Sequence, residues 1–562
     1  MAQTPASMLR ALERCRADFG GGCGAGKLEL LRGLGRAELP RAASVLRLHE
    51  TLCFLRAYPD DARVLAAVER LLSGFERRRD LRRHRSLLAD SGIAGTDISY
   101  RFFWPTASWL ARRWGERLSI DWRNFDGAPR LEGRLHLLAL YGETPGLDEF
   151  AFPVRQWIER MKGRDETDAV FLVRRIGALR LPAEVRETLY DEIDVPMRIA
   201  AGPATPARTR ALHPRLPLVY QTRPLIRSRP TFPQDIHRPP AGIRPVSRRE
   251  GQRIIDLARE AMVTRSRDLD AFAYGDPDDV RLVDCGDGLV FACIGQLPAR
   301  RLLLETVYGF LTFKNRVPIG YVLSSALFGS SEVAYNVFDT YRGGEAGYVY
   351  GRVLAMVRAL FGSDTFTIYP YQLGQHNAEG LRSGAWWFYQ KLGFRARDPG
   401  VLRLMHSELG RLRADPDERS SIATLKKLVE ENVYLHLGRR RDDVIGLLPL
   451  ANVGLQVTRF LAERYGARRE RAGHECARQA AAILGVRSFG NFTPGERLAW
   501  ERWSPLVMIL PGLARWSPGE RRALAEVVRA KGGRRESDFV ALFDRHRRLR
   551  RAVRLLAERD TD

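Results

Sequence analysis

The sequence predicts an α+β protein of several domains, in which a central mixed sheet with helices is flanked by all-α domains at both ends. Three observations predict this class. The chain has 562 residues, more than one ordinary hydrophobic core can serve. Apolar residues recur three and four positions apart before about residue 200 and after about 410, as in amphipathic helices. Between these regions, short apolar segments alternate with turn residues and helical patterns.

Residues 1–200 make up the first predicted domain, which is mainly helical. Segments such as DARVLAAVERLLSGFERRRDL place apolar side chains at helical spacing. Residues 21–28 read GGCGAGKL and come close to a phosphate-binding loop. That motif needs a preceding apolar strand and a hydroxyl side chain after the lysine, but a charged helical stretch precedes it and Leu28 follows Lys27. We therefore expect a flexible glycine linker here and not a nucleotide site.

A connector rich in proline and arginine is predicted for residues 201–247. Ten prolines between positions 203 and 245 prevent a helix from persisting. Residues 201–250 also contain ten arginines, against only Asp235 and Glu250 on the acidic side. Three arrangements agree with this composition: the connector wraps across a neighbouring domain, extends free into solvent, or binds an acidic partner.

The formal net charge of +24 raises the question of a nucleic-acid partner. Nearly all the basic residues are arginine, and since a GC-rich genome favours arginine codons, mutational drift is one explanation for part of the excess. Nucleic acid is therefore an alternative partner that is not favoured. No apolar segment reaches the ~18 to 20 residues of a membrane span, and the N-terminus lacks a signal-type apolar core. These features predict a cytoplasmic protein without membrane contact. No cysteine or histidine spacing indicates a metal site.

Residues 248–410 form the predicted α+β domain. VRLVDCGDGLVFACIG predicts a hairpin, VYGFLTFK and IGYVLSSALF predict a second one around a turn at residues 315–318, and EVAYNVFD predicts a further strand. A glycine loop, an amphipathic helix and the strand TFTIYP come next. They are followed by one helix that carries Leu381, Ala385, Phe388 and Leu392 and stops at Gly393, and by a short extended segment.

Residues 411–562 return to helical spacing and form the predicted C-terminal helical domain. Two of its helices begin in the same way, at TPGERLAW and SPGERRAL. Thr493 and Ser517 are the predicted N-caps, and Glu496 and Glu520 complete capping boxes. No motif in either helical region indicates chemistry.

Two segments of the middle domain carry a resemblance to a known superfamily. YRGGEAGYVYGRVL, from residue 341, resembles the Arg-Gly-x-Gly-x-Gly pyrophosphate loop of the GNAT acetyltransferases. SGAWWFYQKLGFR, from residue 383, resembles their Ala-x-x-x-Tyr-x-x-Leu-Gly-Phe signature. The two lie in the expected order and spacing, so residues 270–400, about a quarter of the chain, resemble this superfamily.

The resemblance implies a binding site for acetyl-CoA as co-substrate. The strand before the loop would part from its neighbour and pair with the pantetheine arm, while loop amides at a helix N-terminus hold the pyrophosphate, as unpaired amides and the helix dipole favour. The implied coenzyme-binding residues are Arg342, Gly343, Gly344, Ala346 and Gly347 in the loop, with Val337 and Phe338 beside the thioester. Tyr389 matches the tyrosine that protonates the departing thiolate in many members. The alternative to this catalytic role is a structural one, in which Tyr389 is packed and hydrogen-bonded at a helix end.

An amine acceptor also requires a base, for which Glu332, Asp339 and Glu305 are candidates because they bracket the predicted cleft. The sequence departs from the superfamily pattern at Glu345, where a glycine is customary, and at Arg382, where an asparagine is. A carboxylate ~4 Å from a phosphate oxygen would cost on the order of ~4 kcal/mol. Alternatively, Glu345 turns outward and interacts favourably with the helix N-terminus.

The predicted function is that of an acyl-CoA-dependent N-acyltransferase, which moves acetyl from acetyl-CoA to an amine on a small molecule or protein. One alternative is a non-catalytic scaffold or ligand-sensing protein with the same fold. A second is an RNA-associated transferase of aminoacyl or acyl groups, which the arginine excess would suit. No feature of the sequence identifies the acceptor or the oligomeric state.

Overall fold

The computed structural model describes residues 4–226, 234–415 and 417–559. The protein is α+β with a large mixed sheet, as predicted. Residues 4–93 fold around a helical core of leucines and valines. The helices of this region are α1 (Pro5–Cys15), α2 (Cys23–Arg36), α3 (Ala42–Ala57), α4 (Ala62–Ser73) and α5 (Arg79–Arg83).

The prediction of a flexible glycine linker at residues 21–28 is wrong. Gly20, Gly21 and Gly22 form a turn with positive φ, but α2 begins directly after it, at Cys23. Lys27 is fully buried in α2, where its Nζ lies 2.9 Å from the Asp60 carboxylate and donates to the Asp18 carbonyl at 2.7 Å. This buried ion pair anchors the start of α2 to the core, so Lys27 is not directed at a phosphate.

A second core lies between residues 98 and 199 and contains a small sheet that the sequence did not predict. Its three strands pair antiparallel in the order β1-β3-β2 and are too short to show a clear two-residue period. Trp109 and Trp114 are buried in this core. The elements are β1 (Ile98–Arg101), α6 (Trp104–Trp114), β2 (Leu118–Ile120), α7 (Ala128–Glu132), α8 (Leu135–Leu138), α9 (Thr144–Glu149), α10 (Val154–Met161), α11 (Asp168–Ala178), α12 (Ala183–Ile193) and β3 (Pro196–Ile199).

The connector wraps across its neighbours in the part that the structure describes, which selects one of the three arrangements open from sequence. The Arg56 guanidinium donates to the carbonyls of Thr209 and Arg208. Further along, the Val219 amide donates to Asn315 and the Ile226 amide donates to Glu345. The connector therefore ties the N-terminal helices to the central sheet.

Within the described residues, nine strands form the central sheet in the order β11-β12-β10-β9-β8-β7-β6-β5-β4. Neighbours are antiparallel except β9 and β10, which are parallel. The last strand to join, β12, comes from beyond residue 410 and inserts between β10 and β11. The strands are β4 (Gly242–Pro245), β5 (Gly275–Asp284), β6 (Leu289–Gln296), β7 (Thr306–Lys314), β8 (Val317–Leu327), β9 (Ser330–Val337), β10 (Thr365–Ile368), β11 (Arg395–Ala396) and β12 (Val433–His436).

Both predicted hairpins are present, β5–β6 and β7–β8, and the second turn is tighter than expected because Asn315 and Arg316 make it alone with positive φ. The helix predicted over residues 381–392 is two helices, because Gly384 adopts φ +66° and breaks it. The helices around the sheet are α13 (Gln234–His237), α14 (Arg248–Val263), α15 (Asp270–Ala273), α16 (Ala346–Phe361), α17 (Pro370–Leu373), α18 (Ala378–Ser383), α19 (Ala385–Lys391), α20 (Pro399–Ala414) and α21 (Ile422–Leu428).

The sheet is buried on both faces. One face packs against α16 and the C-terminal helices, and the other packs against α14, α15 and α3. Both predicted capping boxes are present, at Thr493–Glu496 and Ser517–Glu520. The C-terminal helices are α22 (Ala451–Tyr465), α23 (Ala472–Leu484), α24 (Pro494–Ile509), α25 (Pro518–Lys531), α26 (Glu536–Arg545) and α27 (Arg547–Ala557). Among the described helices, none has the length and apolar character needed to cross a bilayer.

Candidate functional site

The glycine loop lies between the end of β9 and the start of α16. Gly343 adopts φ +82°, and a Cβ placed on it would meet no atom within 4 Å. The space beside Gly343 is therefore open, and it is the positive φ that favours glycine at this position. The amides of Gly343, Glu345, Ala346 and Gly347 donate no hydrogen bond to another described residue, whereas the Gly344 amide donates to the Tyr341 carbonyl at 3.3 Å. The N-terminus of α16 thus keeps several free donors, the usual basis of an anion site.

Glu345 neither faces the open side of the loop nor turns outward, so both sequence-based positions for it are wrong. Its side chain points inward and is 4% exposed, with Oε2 3.0 Å from the Nζ of Lys314. Oε1 accepts a hydrogen bond from the Ile226 amide at 3.2 Å. Lys314, at the end of β7, is equally buried. Because the ammonium neutralises the carboxylate, Glu345 does not present an uncompensated negative charge to an anion at the loop.

Arg342 is held by protein groups. Its guanidinium lies 2.7 Å from the Asp339 carboxylate and also contacts the Glu379 carboxylate of α18. Its Nε donates to the Val337 carbonyl at 3.2 Å. The side chain that sequence assigned to the phosphate therefore bridges the glycine loop and α18. Asp339 is exposed and engaged in this bridge, which leaves it poorly placed to serve as a base.

The strand before the loop parts from its neighbour. The parallel pairing of β9 with β10 ends at Glu332 and Thr367. Strand β9 continues to Val337, paired only with β8 over this stretch. Residues 333–337 therefore present a strand edge to the opening between β9 and β10, about 17 Å long at the usual rise per residue. Val337 lies at the loop end of this edge, whereas the Phe338 ring is buried beneath the Arg265 guanidinium.

Glu332 lies where the two strands separate. Burial raises the pKa of its carboxyl to about 7; a hydrogen bond from the Ser325 hydroxyl at 3.3 Å opposes this shift, and the nearby Glu305 carboxyl adds to it. Burial also raises the pKa of Glu305. The structure thus brings two of the three candidate bases together, and only Glu332 projects from the strand that borders the opening. A carboxyl with a pKa near neutrality suits proton abstraction.

Tyr389 is buried in an aromatic cluster on the α16 face of the sheet. Its ring lies 5.5 Å from that of Tyr350, which in turn lies 5.4 Å from that of Tyr335 on β9. The hydroxyls of Tyr335 and Tyr350 are buried and have no partner among the described residues. Burial raises the pKa of Tyr389 well above its ordinary value, so its hydroxyl stays protonated. Sequence reasoning missed Tyr335 and Tyr350, because their proximity depends on how α16 packs on β9.

A cavity of about 370 Å³ adjoins the opening on the opposite face of the sheet. Two cross-strand pairs form its floor, Tyr321 with Asn336 and Leu323 with Ala334. The next pair on the same face is Ser325 with Glu332, about 7 Å further along. Glu332 therefore stands at the end of the cavity floor. The described residues contain no cluster of histidine, cysteine or carboxylate side chains arranged to hold a metal ion.

The elements that wall the cavity come from distant parts of the chain. Tyr100 belongs to β1 of the N-terminal region, and Arg267, Asp268 and Leu269 lie between α14 and α15. The carboxylate of Asp268 accepts hydrogen bonds from the Phe103 amide and the Thr106 hydroxyl, both at 2.9 Å. These bonds attach the N-terminal region to the rim of the cavity. No protein-family model, no curated protein and no solved structure matches this chain.

Proposed function

We propose that the protein is an acyl-CoA-dependent N-acyltransferase. The observation that carries this proposal is the parting of β9 from β10 at Glu332, with free amides of α16 at the outer end of the exposed strand edge and a carboxyl that titrates near neutrality at the inner end. An extended thioester ligand with an anionic end group would lie along this edge, with its anionic end at the amides and its thioester beside Glu332. The resemblance of the two segments to the GNAT superfamily supports the same assignment.

The residues present fit such a ligand. The amides of Gly343 and residues 345–347 would hold the pyrophosphate, and residues 333–337 would pair with the pantetheine arm. Acetyl-CoA would supply the activated acyl group. Arg342 would take part only after releasing one of its two carboxylates.

Glu332 would take one proton from the ammonium form of the acceptor. The freed amine nitrogen then bonds to the acyl carbon as the carbon–sulfur bond breaks and the electron pair leaves on sulfur. A second nitrogen-bound proton reaches the thiolate, directly or by way of Tyr389, which donates its own proton and is reprotonated by the amine. The products are an amide, a thiol and protonated Glu332, which returns its proton to solvent.

Calorimetric titration with acetyl-CoA tests the proposal. We expect saturable binding with a Kd between about 1 µM and 1 mM, the usual range for enzyme substrates. The same titration with desulfo-coenzyme A separates binding from turnover. Absence of heat and of thermal stabilisation at millimolar ligand would contradict the proposal.

A negative charge introduced at Gly343 tests whether the pyrophosphate of the coenzyme binds at this loop. Gly343→Asp and Gly343→Asn both tolerate positive φ and have nearly the same size, so the pair differs in one negative charge. We expect the aspartate variant to bind coenzyme A about tenfold more weakly than the asparagine variant, because the added carboxylate repels the pyrophosphate. Equal affinities of the two variants, measured by calorimetry, would place the anion elsewhere.

Removal of the Tyr389 hydroxyl tests its role as the acid. Tyr389→Phe should lower kcat about ten- to hundredfold and leave the Kd for coenzyme A unchanged, since the hydroxyl would act on the departing thiolate. Tyr350→Phe is the matched control, because it removes another buried hydroxyl from the same cluster. An unchanged kcat in Tyr389→Phe would assign Tyr389 to packing alone.

A specific observation favours a second candidate, a ligand sensor that binds the coenzyme without transferring the acyl group. Arg342 is bonded to two carboxylates and the Tyr389 ring is packed in an aromatic cluster, so both residues also fit a structural role. Coenzyme binding without N-acylated product from any amine, and with no effect of Glu332→Gln, would select this alternative.

A further inference from the structure

The cavity beside Glu332 is surrounded by more acidic than basic groups, although the protein as a whole is basic. The chain carries a formal charge of +24. Around this cavity, however, four carboxyl groups face two guanidinium groups. The carboxyl groups are Asp268 and Glu379 in the lining, Glu332 at the end of the floor and Asp339 at the rim, and the guanidinium groups are those of Arg267 and Arg342.

The two arginines differ in their partners. Arg342 pairs with Asp339 and Glu379, whereas Arg267 donates one N–H group to the Tyr321 hydroxyl at 2.8 Å. The acidic groups outside the Arg342 bridge are Asp268, whose pKa burial raises to about 6, and Glu332. Because four carboxyl groups stand against two guanidinium groups, the balance of charge around the cavity favours a cation.

The aromatic residues that line the cavity also favour a positively charged ligand. Tyr100, Tyr321 and Tyr371 all contribute to the cavity wall, and Tyr371 is 59% exposed. The faces of tyrosine rings attract ammonium groups, by about 0.5–1 kcal/mol each at exposed sites. Three such rings close to carboxyl groups are a common setting for recognition of alkylammonium ions.

One acceptor atom in the floor lacks a partner. The Oδ1 atom of Asn336 is buried and accepts no hydrogen bond from a described residue. A buried oxygen left without a donor is unfavourable by about 1–3 kcal/mol. Asn336 stands two residues from Ala334 and four from Glu332 on the same face of β9, so a ligand N–H at this oxygen would lie along the line that leads to the base.

We propose that this cavity binds the acyl acceptor and that the acceptor is a primary alkylammonium with a second cationic group, of the type of a short diamine. This inference rests on the proposed function for the role of Glu332, but the binding itself does not. One ammonium group donates to Asn336 and lies against the tyrosines. The other approaches Glu332, gives up one proton to its carboxylate and becomes the nucleophile described above.

Calorimetry with three five-carbon probes tests the inference. The protein is titrated with 1,5-diaminopentane, 1-aminopentane and pentanoate, each without and with saturating coenzyme A. We expect binding in the order diamine, monoamine, pentanoate, with the diamine at least tenfold tighter than the monoamine and pentanoate undetectable. No diamine binding in either arm, or pentanoate binding as tightly as the diamine, would overturn the inference.

Two variants link the binding to the cavity. Asn336→Leu should weaken diamine binding at least fivefold, and Tyr371→Ala, which truncates a side chain that is 59% exposed, should weaken it at least twofold. Asn491→Leu, an exposed asparagine outside the cavity, is the matched control and should leave the affinity unchanged. If both cavity variants bind the diamine as the parent does, the site lies elsewhere and the inference fails. The coenzyme titration is read separately, so failure of the acceptor site and failure of the proposed function are distinguishable.

Discussion

Glu332→Gln will lower kcat by about 10²–10⁴-fold and leave the Kd for coenzyme A unchanged. The glutamine amide keeps the size of the side chain and the hydrogen-bonding position toward Ser325, but it cannot accept the ammonium proton. The loss therefore falls on the chemical step alone. Steady-state kinetics with a diamine acceptor, together with calorimetry of coenzyme A, measure the two quantities.

If Glu332 is the base, it also sets the pH dependence of the rate in the parent protein. Burial raises the pKa of Glu332 to about 7, and the base must be ionised to act. The rate should therefore rise tenfold per pH unit below about 7 and level off above it. Glu305→Gln removes a negative neighbour that raises this pKa, so its inflection should move to lower pH. Full activity in Glu332→Gln, or a rate independent of pH between 5 and 8, would show that another group takes the proton.

Glu345→Gln will destabilise the sheet region around α16 by about 3–5 kcal/mol, because it leaves the buried Lys314 ammonium without its counter-ion. Lys314→Met should destabilise the same region by a similar amount, because it leaves the buried Glu345 carboxylate without its counter-ion. The double variant Lys314→Met/Glu345→Gln should recover most of the loss, since an apolar side chain beside a neutral amide leaves no charge unpaired.

Hydrogen exchange of peptides from β7 and the start of α16 measures this change locally, which suits a chain of this size better than global unfolding. The exchange rates of α27 peptides serve as the internal control. Losses below about 1 kcal/mol in both single variants would mean that the pair is solvated and that Glu345 is free to face the loop.

The strands and turns of the central region could be predicted because their signals are local. Alternation of apolar residues and the Gly-Asp-Gly and Asn-Arg turns depend on positions close in sequence. The helix break at Gly384 could not be predicted, because the helices before and after it share one apolar face. The apolar periodicity therefore continues through a residue whose φ is positive. The three-stranded sheet before residue 200 could not be predicted, because its strands have only three or four residues.

The site could be predicted only in part. The sequence indicates the glycine loop and Glu332 from their positions beside a predicted strand, but it leaves Glu332 as one of three equivalent candidates, and only the parting of β9 from β10 distinguishes it. The partner of Glu345 lies 31 residues away on β7, and Tyr100 reaches the cavity from a separate core. Such pairings depend on tertiary packing, which no spacing rule in one sequence encodes.

A crystal structure of the protein with coenzyme A would show directly where the coenzyme binds. We expect the pyrophosphate within hydrogen-bonding distance of the amides of Gly343 and residues 345–347, the pantetheine arm paired with residues 333–337, and the sulfur near Glu332. The Lys314–Glu345 pair should remain intact. A coenzyme bound at another surface, or a loop whose recess is closed by protein atoms at saturating coenzyme, would contradict this expectation.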